Sequence, residues 1–208
     1  RKRRYATAID IGHYSVKIVT VAADEAGRIQ VQRATVQPLD LSVSASQDSD
    51  LRRAQLSALK AALHHHKRLV GRVVVALPRS LTTIRYLTLP SSDRDELREM
   101  VLLDAERHIP FSVDDVEIDF EILEQLGEHE SLIMMVGAPR SEIQALLDLC
   151  HEAGASPDLV DIDILGACRA YGQDGEVEET KAIMDFGRES TGVGIVSNGR
   201  VLFTRSLS

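Results

Sequence analysis

Three observations predict an α/β fold in which one strand–turn–strand unit is used twice. The segments AIDIGHYSVKIVTV (8–21) and IMDFGRESTGVGIVS (183–197) are both apolar strands ending in Asp-x-Gly, at Asp10-Ile11-Gly12 and Asp185-Phe186-Gly187, that run on into a second strand. Each copy then continues through Gly-Arg, Gly27-Arg28 or Gly199-Arg200, into a third strand, so each is an antiparallel meander. Between them, strand and helix patterns mix in a block of its own, which predicts an α+β unit inserted into the outer domain.

In the first copy, Tyr5 to Asp10, Ser15 to Ala22 and Arg28 to Gln37 are the strands, with Asp24-Glu25-Ala26-Gly27 as a turn. A polar stretch, Asp40 to Asp50, leads to a helix marked by Leu51, Leu56, Leu59 and Leu63 and ending near Lys67. Arg72 to Leu77 (RVVVAL) is nearly continuous in apolar residues, the mark of a strand covered on both faces.

The inserted block starts with a strand at Leu81 to Leu89. A helix follows over 93–108, where Asp93 and Glu96 have the spacing of a capping box and Ile109-Pro110 is a stop. Strands at Val116 to Leu123 and Ser131 to Gly137 come next, and a helix from Ser141 to Ala153 closes on Gly154, suited to a left-handed cap. Met134 and Met135 fall in a strand pattern and are expected in the core. The outer domain resumes with a strand at Pro157 to Ile162 and a short helix through Ala167, Ala170 and Tyr171. An acidic loop, Gly172 to Glu179, precedes the second meander, whose Asn198-Gly199 is a strong hairpin signal.

The chain has 208 residues, 44% of them hydrophobic and 27% charged, enough for a substantial core. A net charge of −8 argues against nucleic acid and anionic membrane surfaces as general partners, and the basic start, Arg1 to Arg4, reads as a solvated end. No apolar run reaches the roughly 18 residues of a spanning helix, so a cytoplasmic protein is expected. Cys150 and Cys168 have no metal spacing and are expected as buried free thiols. His64-His65-His66 are consecutive on a helix, point in different directions, and are expected to be a solvated helix end.

The repeated turn suits phosphate. A glycine at a strand end lets backbone N–H groups approach oxygens closely, and the hydroxyls of Ser15, Ser190 and Thr191 add donors. Asp10 and Asp185 would face a hydrated Mg²⁺ on the phosphates, and Lys17 would supply charge to a β- or γ-phosphate.

Beyond this chemistry the chain resembles a family: PilM, the actin-like proteins of type IV pilus assembly, relatives of the cell-division protein FtsA. The resemblance rests on Ala8-Ile9-Asp10-Ile11-Gly12 through Lys17-Ile18-Val19, Val75-Ala76-Leu77-Pro78, and Thr88-Leu89-Pro90 before an acidic helix. It continues through Glu106-Arg107-His108-Ile109-Pro110-Phe111, Asp119-Phe120-Glu121 and Val160-Asp161-Ile162-Asp163. It implies an actin-like (ribonuclease H-like) fold with subdomain 1A at 1–79, an inserted α+β subdomain 1C at 80–155, and the start of subdomain 2A at 156–208. The remainder of the second lobe is expected to be missing.

The resemblance implies ATP and Mg²⁺ in the cleft, with Asp10, Gly12, His13, Tyr14, Ser15, Lys17, Asp163, Asp185, Gly187, Ser190 and Thr191 as cofactor-binding residues. Asp163 matches the acidic position of the first connecting helix. It also implies a cytoplasmic adaptor at the inner face of the inner membrane, with only indirect membrane association. Such an adaptor holds the tail of a PilN-like inner-membrane protein among other pilus assembly components. Two alternatives are the cytoplasmic domain of a type II secretion L-type protein and an ATPase or phosphotransferase of the actin-like superfamily; at most weak ATP hydrolysis is expected, and no catalytic residue is assigned. His13, Tyr14, Arg188 and Glu189 depart from the family's small loop residues, predicting an obstructed phosphate site with Glu189 repelling its ligand. Weak or absent ATP binding by this chain is the expectation.

Overall fold

The computed structural model describes residues 4–40, 48–109, 112–172 and 179–208. Arg1 to Arg3, most of the polar stretch, Pro110 and Phe111, and most of the acidic loop lie outside the described residues.

The first meander is β1 (Arg4–Ile11), β2 (Ser15–Ala23) and β3 (Ile29–Pro38), followed by α1 (Asp48–His66) and β4 (Arg72–Leu77). A 3-10 turn at Arg79–Leu81 leads into β5 (Thr83–Leu89), α2 (Arg94–His108), β6 (Val116–Gln125), β7 (Ser131–Pro139) and α3 (Arg140–Ala153). The chain returns through β8 (Leu159–Ile162) and α4 (Asp163–Gly172) to the second meander, β9 (Thr180–Phe186), β10 (Thr191–Ser197) and β11 (Arg200–Leu207).

Three sheets result, ordered β3-β2-β1-β4-β8, β5-β7-β6 and β11-β10-β9. In the first, β4 runs parallel to β1 and β8 parallel to β4, so strands from both sides of the insertion share one sheet. α3, grouped with the inserted block in the sequence reading, packs Leu149 and Cys150 into the first core, with Leu59 and Ala62 of α1 and Ile9, Ile18 and Val75 of the sheet. Burying one such leucine contributes about 1.5–3 kcal/mol. α2 covers one face of the inserted sheet through Leu97, Val101 and Ala105, against Phe120, Ile133 and Met135. α4 covers the second meander through Ile164, Leu165 and Cys168, and Ile84 and Met134 join that core. Both methionines are buried, as their strand pattern requires.

Several local expectations hold for their stated reasons. Gly154 caps α3 at φ 91°, and Asn198 and Gly199 turn the hairpin at φ 52° and 74°, the positive pair of a type I′ turn. Both cysteines are free and buried, and burial pushes the Cys150 thiol up to about 11.

Two expectations are corrected. Asp93 does cap α2, accepting from the N–H groups of Asp95 and Glu96. The reciprocal arm of the capping box is absent, because the Ser91 hydroxyl donates to Glu96 at 2.6 Å and accepts the Asp93 N–H at 3.0 Å, standing between the two.

The histidine run is not wholly solvated either. His64 and His65 are exposed, but His66 is fully buried where α1 ends against the first sheet. Its Nε2 lies 2.8 Å from the Thr20 hydroxyl and its Nδ1 3.0 Å from that of Thr35, while Arg33 donates to its carbonyl. The chain continues from Thr20 to Thr7, whose hydroxyl bonds the backbone of Val70. Burial, with Arg33 adding to it, lowers the His66 pKa below 6.5, so folding favours the neutral ring. The unfolded chain therefore takes up the proton first as pH falls below about 6.5, and stability present above that value is lost on acidification. Urea midpoints at pH 7.5 and 5.5 should differ more for the parent chain than for His66→Gln.

Candidate functional site

β1 and β9 deliver their Asp-x-Gly turns to the same cleft, about 110 Å³ in volume, with the first turn of α4 at its floor. The two turns share one backbone geometry. Gly12 N–H donates to Ser15 C=O at 3.1 Å, and Gly187 N–H to Ser190 C=O at 3.0 Å. A Cβ would stand 3.1 Å from the first carbonyl oxygen and 2.7 Å from the second, which is why glycine occupies both positions.

Of the residues predicted to bind phosphate, Asp10, Gly12, His13, Lys17, Asp163, Asp185, Gly187 and Ser190 line the cleft. Tyr14, Ser15 and Thr191 do not. Tyr14 is exposed and uses its carbonyl to accept from Leu39, while Ser15 is buried and turns its own carbonyl to Gly12.

Lys17 stands opposite Asp10 across the β1–β2 pair, and its Nζ donates to the Asp10 carboxylate at 2.7 Å. Burial works against its charge, but Asp10, Asp185 and Asp163 outweigh that and hold its pKa above 10.5. Asp163 accepts the N–H groups of Ile164 and Arg79 at 2.6 and 3.0 Å. Burial nonetheless pushes its pKa up, and Asp10 and Asp185 push further. Asp10, Asp163 and Asp185 share the cleft with Lys17, Arg79 and Arg188, and an added cation would offset the carboxylates toward a phosphate ligand. Among the described residues no group of three or more His, Cys, Asp or Glu side chains is placed to hold a metal ion. A cation here would keep most of its water shell, which suits Mg²⁺.

Two features lay beyond sequence reasoning. His13 and Glu189, which looked like separate obstacles, pair across the cleft at 3.2 Å, joining the two turns. Arg79 was not singled out, and it ties three parts together. Its N–H donates to Asp163, and its guanidinium donates to the Thr204 hydroxyl and carbonyl on β11 at 3.0 and 3.2 Å and to the Thr82 carbonyl at 2.7 Å.

A groove of about 490 Å³ lies beside this cleft, where β8 and α4 meet the inserted sheet. Partly exposed Val136, Ile143 and Val160 give it an apolar lining, and Glu117, Asp119 and Glu121 of β6 line it from the inserted sheet. Arg169 of α4 spans it, bonded to Asp161 at 2.6 Å and to Glu121 at 3.1 Å.

Two Asp-x-Gly meanders facing one cleft, with an α+β unit inserted between them, make this an actin-like α/β protein. The chain matches the family of type IV pilus assembly protein PilM over residues 8–208, and it belongs to that family. Its fold is similar to a chain of the PilM-PilN type IV pilus biogenesis complex, with a TM-score of 0.78 and 26% identity over 97% of this chain and 61% of that one. It therefore spans less than two thirds of that relative. The cytoplasmic domain of EpsL, an inner membrane component of the type II secretion system of Vibrio cholerae, shares the fold at TM-score 0.59 and 15% identity, over 100% of this chain and 71% of that one. Ethanolamine utilization protein EutJ from Carboxydothermus hydrogenoformans does so at 0.50 and 14%, over 100% and 53%.

Proposed function

We propose that this chain is a cytoplasmic adaptor of type IV pilus assembly whose groove beside the inserted unit receives the cytoplasmic tail of a PilN-like inner-membrane protein. The observation that carries the reading is the groove itself: an apolar lining with an acidic row, of a size for a short peptide segment. The likeness to a chain of a PilM-PilN complex supports it. No helix among the described residues is long and apolar enough to cross a membrane. Titration of the chain with a synthetic tail peptide tests the reading. Ile143→Glu places a charge in the groove and should weaken binding about tenfold or more.

The cleft is proposed to hold nucleotide phosphates with Mg²⁺, with Asp10 and Asp185 facing the hydrated ion and Lys17 the phosphates. At about 110 Å³ the cleft has room for the phosphate end of a nucleotide. When bound, the ion neutralises phosphate charge that the carboxylates would otherwise repel. Calorimetry of the 208-residue chain with ATP and Mg²⁺ should give affinity weaker than micromolar. Glu189→Gln removes a charge that faces the ligand and the exposed pair with His13, so it should tighten binding roughly two- to fivefold, the range of one exposed ion pair. Unchanged or weaker binding would show that Glu189 does not oppose phosphate.

A further inference from the structure

The groove contains an unused strand edge. β8 is hydrogen-bonded to β4 and ends the five-stranded sheet, and its Val160, Asp161 and Ile162 all line the groove. In a parallel pair, alternate residues turn their backbone groups toward and away from the neighbour. Ile162 turns away, because its N–H is taken by the Asp161 carboxylate at 2.8 Å, and Val160, two residues earlier, faces the same open side. A side chain thus covers one of the donors that an added strand would use.

An open edge is a template for another extended segment. Facing this one is the surface of the inserted sheet that α2 leaves uncovered. There Val136 lies opposite Asp119 in the β6–β7 register, an apolar position beside a charged one. The three acidic residues of β6 that line the groove differ in their partners. Arg140 pairs with Glu117 and Arg169 with Glu121, whereas Asp119 has no cation partner among the described residues. Among the described residues its carboxylate accepts the N–H of Phe120 alone.

We infer that the occupant of the groove is an extended peptide that adds to β8 as a sixth strand and sets a lysine or arginine against Asp119. The inference rests on the groove being the docking site proposed above. Backbone bonds to Val160 and Ile162 hold the segment, and Val136 and Ile143 receive its apolar side chains. The Asp161 carboxylate, displaced from Ile162 N–H, keeps its bond to Arg169.

The test is a titration of the 208-residue chain with a synthetic tail peptide and with copies N-methylated at one residue each. Strand addition predicts losses of about tenfold at every second position and small effects between, since each methyl removes one backbone bond and adds bulk at the edge. It also predicts slowed amide exchange at Val160 in the complex. Asp119→Asn should weaken a peptide carrying the basic residue about fivefold and leave one with a neutral replacement unchanged. Losses without a two-residue period, or unchanged exchange at Val160 in a bound complex, overturn strand addition and leave the docking site standing. No binding, or equal binding by a folded Ile143→Glu chain, overturns the docking site and the inference together.

Discussion

Gly71→Ala is expected to lower stability by about 3–5 kcal/mol, and with it Tm by roughly 6–20 °C, making it among the most damaging single-methyl additions in the chain. Gly71 lies between α1 and β4 at φ +74°, where an L side chain costs about 1–2 kcal/mol by itself. The larger part is steric. A Cβ there would stand 1.9 Å from the carbonyl oxygen of Tyr5 and 2.3 Å from its carbonyl carbon, and neither can swing aside because both belong to β1. The neighbouring backbone cannot shift easily, since Thr7 bonds both the N–H and the C=O of Val70. Gly27 is the control, with φ +78° but nothing within 4 Å of its added Cβ, so Gly27→Ala should cost only about 1 kcal/mol. Thermal melts of the two variants check the prediction, and equal losses would sink the steric account.

The same linker shows where a sequence stops being legible. The β-strands and α-helices of the described residues were readable because each follows from its own residues: the run RVVVAL, the leucine spacing of α1, the Asn-Gly of the last hairpin. The repeated Asp-x-Gly turn located most of the cleft for the same reason. What stayed hidden are meetings between distant residues. His13 and Glu189 each looked unfavourable alone, and only the fold brings them to within 3.2 Å of each other. His66 looked like its two exposed neighbours, yet the last turn of α1 carries it inward onto hydroxyls of β2 and β3. Thr7 and Thr20, polar residues at buried positions of apolar strands, were the one sequence signal that a buried partner exists. Tyr14 differs, because it sits in the first loop yet is exposed and does not line the cleft.

Arg79→Ala is the second large effect, an expected loss of about 2–4 kcal/mol. The guanidinium is half-buried and bonds the hydroxyl and carbonyl of Thr204 together with the carbonyl of Thr82, so truncation strips partners from groups with little access to water. Thr204 belongs to the second meander, Thr82 to the crossing into the inserted unit, and the Arg79 N–H reaches Asp163 in the cleft. Arg79→Lys should recover little, since one ammonium cannot reproduce a planar fork that reaches two elements. Arg200→Ala is the comparison, an exposed pair with Glu124 whose loss should cost under about 1 kcal/mol. Urea denaturation of the three variants separates these cases, and similar midpoints for Arg79→Ala and Arg200→Ala would refute the role given to Arg79. Because Thr82 and Asp163 line the groove and the cleft respectively, a folded Arg79→Ala chain should also bind the tail peptide more weakly at temperatures well below its Tm. Loss of stability with unchanged peptide affinity would confine Arg79 to holding the second meander in place.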